Sequence, residues 1–215
     1  MSSKAIRVLL VDDHAIARNG VRLMLGTADD IEVCGEASNA IEALELVGKN
    51  EFDVAMLDIT MPGKNGLELL RQLHAEQPRL AVLMLSTYSE EIYAVRALKL
   101  GAAGYLTKDA PTNMLVAAVR KAAAGGKHVS EAMADKLASL IGSGGAGQAA
   151  AHESLSNREL EVFKLIAAGE TLVRIGEALH LSPNTVTTYR SRILDKMGLA
   201  SNAELTRYAL ENGII

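Results

Sequence analysis

Five short apolar runs in the first part of the chain, Ile6–Val11, Ile31–Cys34, Val54–Leu57, Leu80–Leu85 and Gly104–Leu106, do not alternate with polar residues. A strand with one wet face alternates in polarity. A run that stays apolar is covered on both faces, as in a parallel sheet held between layers of helix. The stretches between the runs, around 15–27, 39–48, 66–76, 89–100 and 112–124, read as helices. In the last of them Met114, Leu115, Ala118, Val119 and Ala122 fall along one stripe. Strand and helix therefore alternate five times, which predicts a doubly wound α/β domain.

The 215-residue chain has room for a second domain after this one. A further short helix is expected at 130–141, followed by Gly142–His152, which holds four glycines and no apolar periodicity. That segment reads as a flexible tether whose coil span is on the order of 18 Å, short enough to keep two domains within touching distance. Beyond it, Ser156-Asn-Arg-Glu159 is a capping box opening a helix with Leu160, Phe163, Leu165 and Ile166. Gly169 is placed to end that helix, and Thr171 to cap a second one running through Leu179. Ser182-Pro183 starts a third, and a fourth spans about 203–210. The expected division is 1–128 for the α/β domain, 129–153 for a connecting helix and linker, and 154–215 for a small all-helical domain.

No stretch reaches the ~20 uninterrupted apolar residues that a membrane span needs, and the N-terminus lacks the long apolar region of a signal peptide. Cys34 is the sole cysteine, which excludes an internal disulfide or a cysteine-based zinc site. A cytoplasmic protein without a membrane partner is expected. The net charge is −4, and residues 154–215 carry seven Lys/Arg against seven Asp/Glu. A protein that simply coats nucleic acid would be basic, so any DNA binding here must come from a local patch.

Polar residues gather at the ends of the apolar runs. Asp12 and Asp13 follow the first, Asp58 the third, Ser86 the fourth, and Lys108 comes just after the fifth. In an open α/β sheet the carboxyl ends of the strands share one rim, where chemistry collects. Three carboxylates there repel one another unless a cation intervenes. Oxygen ligands at few positions suit Mg²⁺, which keeps waters and bridges to phosphate. Lys108 and Ser86 can hold the equatorial oxygens of a transferring phosphoryl group, while one carboxylate attacks phosphorus to form an acyl phosphate. Taken singly, each residue has a plainer reading: an Asp at a turn or cap, a solvated Lys, a Ser capping the next helix.

The segments LLVDDH (9–14), LDITMPGKNGLELL (57–70), LMLST (83–87) and GAAGYLTKDA (101–110) resemble the receiver domain of two-component response regulators, over roughly residues 5–125. The resemblance implies a flavodoxin-like five-stranded sheet of order 2-1-3-4-5 and Asp58 as phosphoacceptor. It also implies Mg²⁺ held directly by Asp13, Asp58 and the Thr60 carbonyl, with Asp12 acting through water. Ser86 would be the switch hydroxyl, Tyr105 the switch aromatic and Lys108 the phosphate partner. Pro62 and Gly66 would shape the loop after Asp58, Gly66 at a point of close backbone approach. Many receivers have proline after the lysine; this chain has Asp109. A phosphatase of the haloacid-dehalogenase type also uses an aspartate nucleophile, but needs an acid two residues later, where this chain has Thr60. A receiver that only mediates protein contacts is the other alternative, and the complete set of five pocket residues argues against it.

In the helix beginning at Pro183, Val186, Ile193 and Met197 share one stripe, and Thr187, Thr188 and Ser191 lie opposite, flanked by Arg190 and Arg192. Small polar side chains let a helix lie deep in the major groove, and flanking arginines reach phosphates or guanine edges. The same pattern fits an ordinary amphipathic helix with a solvated face. Residues 155–199, LSNRELEVFKLIAAGETLVRIGEALHLSPNTVTTYRSRILDKMGL, resemble the LuxR-type helix-turn-helix, so the whole chain resembles the NarL/FixJ class of regulators. This resemblance implies a recognition helix at 183–197, with DNA contacts from Asn184, Thr185, Thr187, Thr188, Arg190, Ser191, Arg192 and Lys196. It implies as partners a histidine kinase, double-stranded promoter DNA and a second copy of the phosphorylated chain joined near 203–210, with RNA polymerase a further candidate. The expected product is regulated transcription, with no turnover enzyme beyond the receiver's own phosphotransfer and dephosphorylation. Many relatives carry Asn and Lys where this chain has Leu172 and Val173, and glycine in the tight turn where it has His180. Loss of the lysine should weaken salt-dependent phosphate binding more than sequence choice.

Overall fold

The computed structural model describes residues 5–61, 63–87, 90–142 and 150–215. Pro62 and most of the predicted tether lie outside the described residues. The chain divides into two compact units, Met1–Ser139 and Leu140–Ile215. Among the described residues no helix is long and apolar enough to cross a membrane.

The first unit is built on strands β1 (Ile6–Val11), β2 (Ile31–Ala37), β3 (Val54–Asp58), β4 (Ala81–Ser86) and β5 (Gly104–Thr107). They pair in parallel in the order β2-β1-β3-β4-β5. Helices α1 (Ala15–Leu25), α2 (Ala40–Lys49), α3 (Gly66–Glu76), α4 (Glu90–Lys99) and α5 (Thr112–Ala123) make the crossovers, and α6 (Glu131–Gly142) follows. Every residue of β3 is buried, as the unbroken apolar run required. The edge strand β2 runs past its expected end at Cys34 through Gly35, Glu36 and Ala37, since an edge strand tolerates a charge such as Glu36. Val8 pairs with Val33 and Leu9 with Gly35, so Cys34 bulges out of the ladder.

One expected core position fails. In α5 the buried residues are Leu115, Val116, Ala118, Val119 and Ala122, while Met114 is 45% exposed. At about 100° per residue the buried arc runs from Ala118 round to Val116, and Met114 falls beyond its edge.

The second unit packs α7 (Asn157–Ala167), α8 (Leu172–Leu179), α9 (Pro183–Met197) and α10 (Asn202–Glu211), entered by a short 3-10 turn at Ala151–Ser154. Its core includes Leu160, Phe163, Ile175, Val186, Ile193 and Leu205, all fully buried; Leu165 is only half-buried. The capping box of Ser156 and Glu159 is formed on both sides, and Ser182 caps α9 through the Thr185 amide. Between α8 and α9 the chain turns through His180 in the left-handed region, φ 53° and ψ 46°. The Leu181 amide donates back to the Gly176 carbonyl at 2.8 Å, closing the helix end. An L-residue in this conformation carries a penalty of roughly 1 kcal/mol that glycine escapes. His180→Gly should therefore raise the urea midpoint of the second unit, followed by circular dichroism; a lower midpoint would show that the imidazole itself holds the turn.

Candidate functional site

Parallel strands put their carboxyl ends on one rim, and the acidic residues meet there. Asp12 directly follows β1, with its amide donating to Ala37 O of β2 at 3.1 Å. Asp58 closes β3 in register with Leu85, one residue before Ser86 at the end of β4. Lys108 directly follows β5, and its amide donates to the Ser86 carbonyl at 2.8 Å. Asp12, Asp58 and Ser86 are 5%, 3% and 0% exposed.

The Lys108 ammonium bridges Asp12 Oδ2 at 2.6 Å and Asp58 Oδ2 at 2.9 Å. Asp58 Oδ1 accepts from the Thr60 amide at 3.3 Å, and Asp12 Oδ1 from the His14 amide at 2.8 Å. Burial pushes the Asp58 carboxyl above its usual range, and the hydrogen bond from Lys108 only partly offsets this. Burial also works against the charge on Lys108, but its hydrogen bonds to Asp12 and Asp58 outweigh it, and the ammonium is held above its ordinary value. Lys108 therefore stays protonated through neutral pH.

Ligand atoms of Asp12, Asp13, His14 and Asp58 all lie within 4.8 Å of one another. Three carboxylates against one ammonium leave the pocket net negative, and carboxylate oxygens dominate the donor set. Such a set fits a hard divalent cation such as Mg²⁺. Gly66 is required beside it: a Cβ there would stand 1.9 Å from the Asp58 carbonyl oxygen. Tyr105, paired in register with Met84, is 3% exposed, so its ring is turned into the protein.

Three neighbours of the pocket were not among the residues singled out from the sequence. His14 Nδ1 lies 2.8 Å from Asp13 Oδ1. Arg18 reaches back from α1 to donate to the Asp12 carbonyl at 2.6 Å. Asn65, almost fully buried, caps α3 through the Glu68 amide at 2.9 Å. Of these only Asn65 was findable, since an Asn at a helix start three residues before a Glu is a cap pattern.

In the second unit α9 presents Asn184, Thr185, Thr187, Thr188, Ser191 and Arg192 as exposed residues, opposite buried Val186, Ile193 and Met197. The hydroxyls of Thr187, Thr188 and Ser191 donate to carbonyls four residues earlier, at 3.0, 3.0 and 3.2 Å, leaving their acceptor sites outward. Two of the expected contacts are otherwise engaged. Lys196 Nζ lies 2.7 Å from Glu159 Oε2 on α7, and Arg190 Nε donates to Asn202 at 2.6 Å. Arg158 pairs with Glu161, and burial pulls Lys164 down to about 8. On α9, Arg192 is exposed and has no ion pair among the described residues.

A doubly wound domain with a lysine-bridged acidic rim, followed by a helical unit with a polar outer face on α9, is the architecture of a signalling regulator with a DNA-binding output. The chain belongs to the two-component response regulators that carry a LuxR-type DNA-binding domain. Residues 8–120 match the family described as response regulator receiver domain, and residues 153–209 match bacterial regulatory proteins, luxR family. The chain is 36% identical over 210 residues to the response regulator GacA of Pseudomonas aeruginosa, covering 98% of each. Among solved structures it is similar to the response regulator ChrA of a heme-sensing two-component system, with 33% identity, a TM-score of 0.54 and coverage of 99% of this chain and 100% of that one. It is also similar to RcsB from Salmonella enterica serovar Typhimurium bound to the promoter rprA, with 25% identity, a TM-score of 0.63, and 95% and 98% coverage.

Proposed function

We propose that Asp58 accepts a phosphoryl group from a histidine kinase and that this modification controls dimerisation and promoter binding. The observation that carries the reading is the buried Lys108 ammonium bridging Asp12 and Asp58 at the strand rim. A carboxylate oxygen of Asp58 attacks phosphorus, the bond from phosphorus to the donor imidazole breaks, and the imidazole leaves with the displaced electron pair. Lys108, fixed in its charged form, stays beside the oxygens of the new acyl phosphate. Asp13, Asp58 and the Thr60 carbonyl are the residues to hold Mg²⁺ directly, with Asp12 acting through water. When bound, the ion supplies charge neutralisation at the phosphoryl oxygens. The added negative charge draws on the Ser86 hydroxyl at the end of β4, and Tyr105 follows as the switch aromatic.

The output is α9 in the major groove, with Asn184, Thr185, Thr187, Thr188, Ser191 and Arg192 facing DNA, and Arg190 and Lys196 joining only after leaving Asn202 and Glu159. So few uncommitted cations give one copy little phosphate grip. Two copies joined through α10 engage two half-sites and gain by effective concentration. This favours dimer-dependent binding.

The test is incubation with acetyl phosphate and Mg²⁺, read by intact mass, light scattering and DNA binding, with Asp58→Ala alongside. We expect one phosphoryl group, a dimer and at least tenfold tighter DNA binding for the unaltered protein only. Identical mass and identical DNA binding for the two proteins would overturn the reading.

A further inference from the structure

We infer that Arg18 is a positioning residue for the divalent-cation site, an inference that rests on the proposed role of Asp13 as a direct ligand. The Arg18 side chain is 19% exposed and lines the same small void as Asp12 and Asp58. Its Nη1 donates to the Asp12 main-chain carbonyl at 2.6 Å. Its Nε donates to the Glu36 carboxylate on β2 at 3.0 Å, and Arg22 approaches the other oxygen of that carboxylate at 3.5 Å. Glu36 therefore aims the guanidinium, and the guanidinium holds Asp12.

The point of attachment gives the contact its role. The Asp12 carbonyl belongs to the peptide plane that joins Asp12 to Asp13, so fixing its direction fixes where the Asp13 Cα sits and narrows how its side chain leaves the main chain. The other peptide of Asp12 is already tied, since its amide donates to Ala37 O at 3.1 Å. With both peptides held, the main chain from which Asp12 and Asp13 extend their carboxylates is set before any cation arrives. Groups hydrogen-bonded directly to metal ligands typically alter metal affinity 10–100-fold, and Arg18, acting one step further out through the main chain, is expected at the lower end.

Charge and position act in opposite directions here, and the sign of the effect separates them. A guanidinium close to the pocket repels a divalent cation, so a purely electrostatic Arg18 predicts tighter Mg²⁺ binding when it is removed. A positioning Arg18 predicts weaker binding. Arg18→Met keeps the apolar stem and removes the donors. Arg18→Met combined with Glu36→Gln removes one charge of each sign and leaves the net charge unchanged.

Mg²⁺ affinity of the full chain would be measured by isothermal calorimetry, with melting in the absence of divalent ions as the check on folding. We expect about tenfold weaker Mg²⁺ binding for Arg18→Met, a similar loss for the double variant, and melting within a few degrees of the unaltered protein for both. If Arg18→Met melts early, the double variant decides. Tighter binding in the single variant together with unchanged binding in the double overturns the inference while leaving the proposed function intact. If the unaltered protein itself shows no saturable Mg²⁺ binding, the underlying reading falls and the inference with it.

Discussion

Gly66→Ala should destabilise the first unit by roughly 4 kcal/mol or more, which places it among the exceptional single substitutions. For a unit of this size that is a fall in melting temperature on the order of 10–20 °C. The added Cβ would sit 1.9 Å from the Asp58 carbonyl oxygen, 2.8 Å from the carbonyl carbon and 3.0 Å from Ile59 Cα. All three are main-chain atoms, so no side chain can swing aside. Nor can α3 simply retreat, because the Gly66 amide donates to Ile59 O at 2.9 Å and Leu67, Leu69, Leu70 and Leu73 are fully buried behind it. Any relief must come from the end of β3, so Asp58 moves, and phosphorylation by acetyl phosphate should fall even in folded protein. Gly48→Ala is the matched control: its helical site has nothing within 4 Å, and there alanine should stabilise by about 0.5–1 kcal/mol. Melting of the Gly66 variant within about 3 °C of the unaltered protein would mean that the loop after Asp58 yields freely.

The crowding at Gly66 was anticipated only as a close approach, and the contrast shows which features a sequence carries. Strands covered on both faces announce themselves, and β1 was read to the residue because Val8–Val11 is an unbroken apolar run, with Arg7 confined to its less buried start. β2 was cut short at Cys34 because an edge strand admits charges, and Gly35 followed by Glu36, one residue from its end, looks like the start of a loop. The acidic rim was legible for a related reason: Asp12, Asp58, Ser86 and Lys108 occur where apolar runs stop, and parallel topology converts that linear rule into proximity. Arg18 was not legible. Its partner is a main-chain carbonyl six residues earlier, and every residue has a carbonyl. The pairing of Lys196 with Glu159 spans 37 residues and depends on how α9 crosses α7, so the sequence showed a basic patch where one cation is already committed. The left-handed His180 could be anticipated because its conformation is a local demand of the turn.

Lys108→Met should leave the first unit about 3 kcal/mol less stable at pH 7.5 without divalent ions, the loss typical of stripping one partner from a buried charge pair. Methionine retains the stem, so the effect comes from the ammonium that bridges Asp12 and Asp58. The pH dependence identifies the cause. Asp58 already has a raised pKa through burial, against the pull of Lys108. Without that pull, and with Asp12 still ionised beside it, the value rises further. A carboxyl whose folded pKa lies above its unfolded value of about 3.9 contributes stability that is fully present below the unfolded value and is lost as pH rises through the folded one. The variant's deficit should therefore be largest at neutral pH and shrink as pH falls through the raised folded value, where Asp58 takes up a proton and no longer needs the ammonium. Lys108 has the complementary sign in the unaltered protein: its raised pKa is a stabilisation present below the ordinary value of 10.5 and lost only above it. Mg²⁺ gives a second handle, because a cation that enters the pocket restores the missing charge and stabilises the folded state by mass action. The deficit should narrow with Mg²⁺ at neutral pH, while phosphorylation stays impaired because no ammonium stands beside the acyl phosphate. Urea unfolding of both proteins at pH 7.5 and pH 5, with chelator or with Mg²⁺, separates these effects. A deficit of equal size under every condition would assign the loss to the packing of the Lys108 stem, and the buried charge bridge would lose its place in the mechanism.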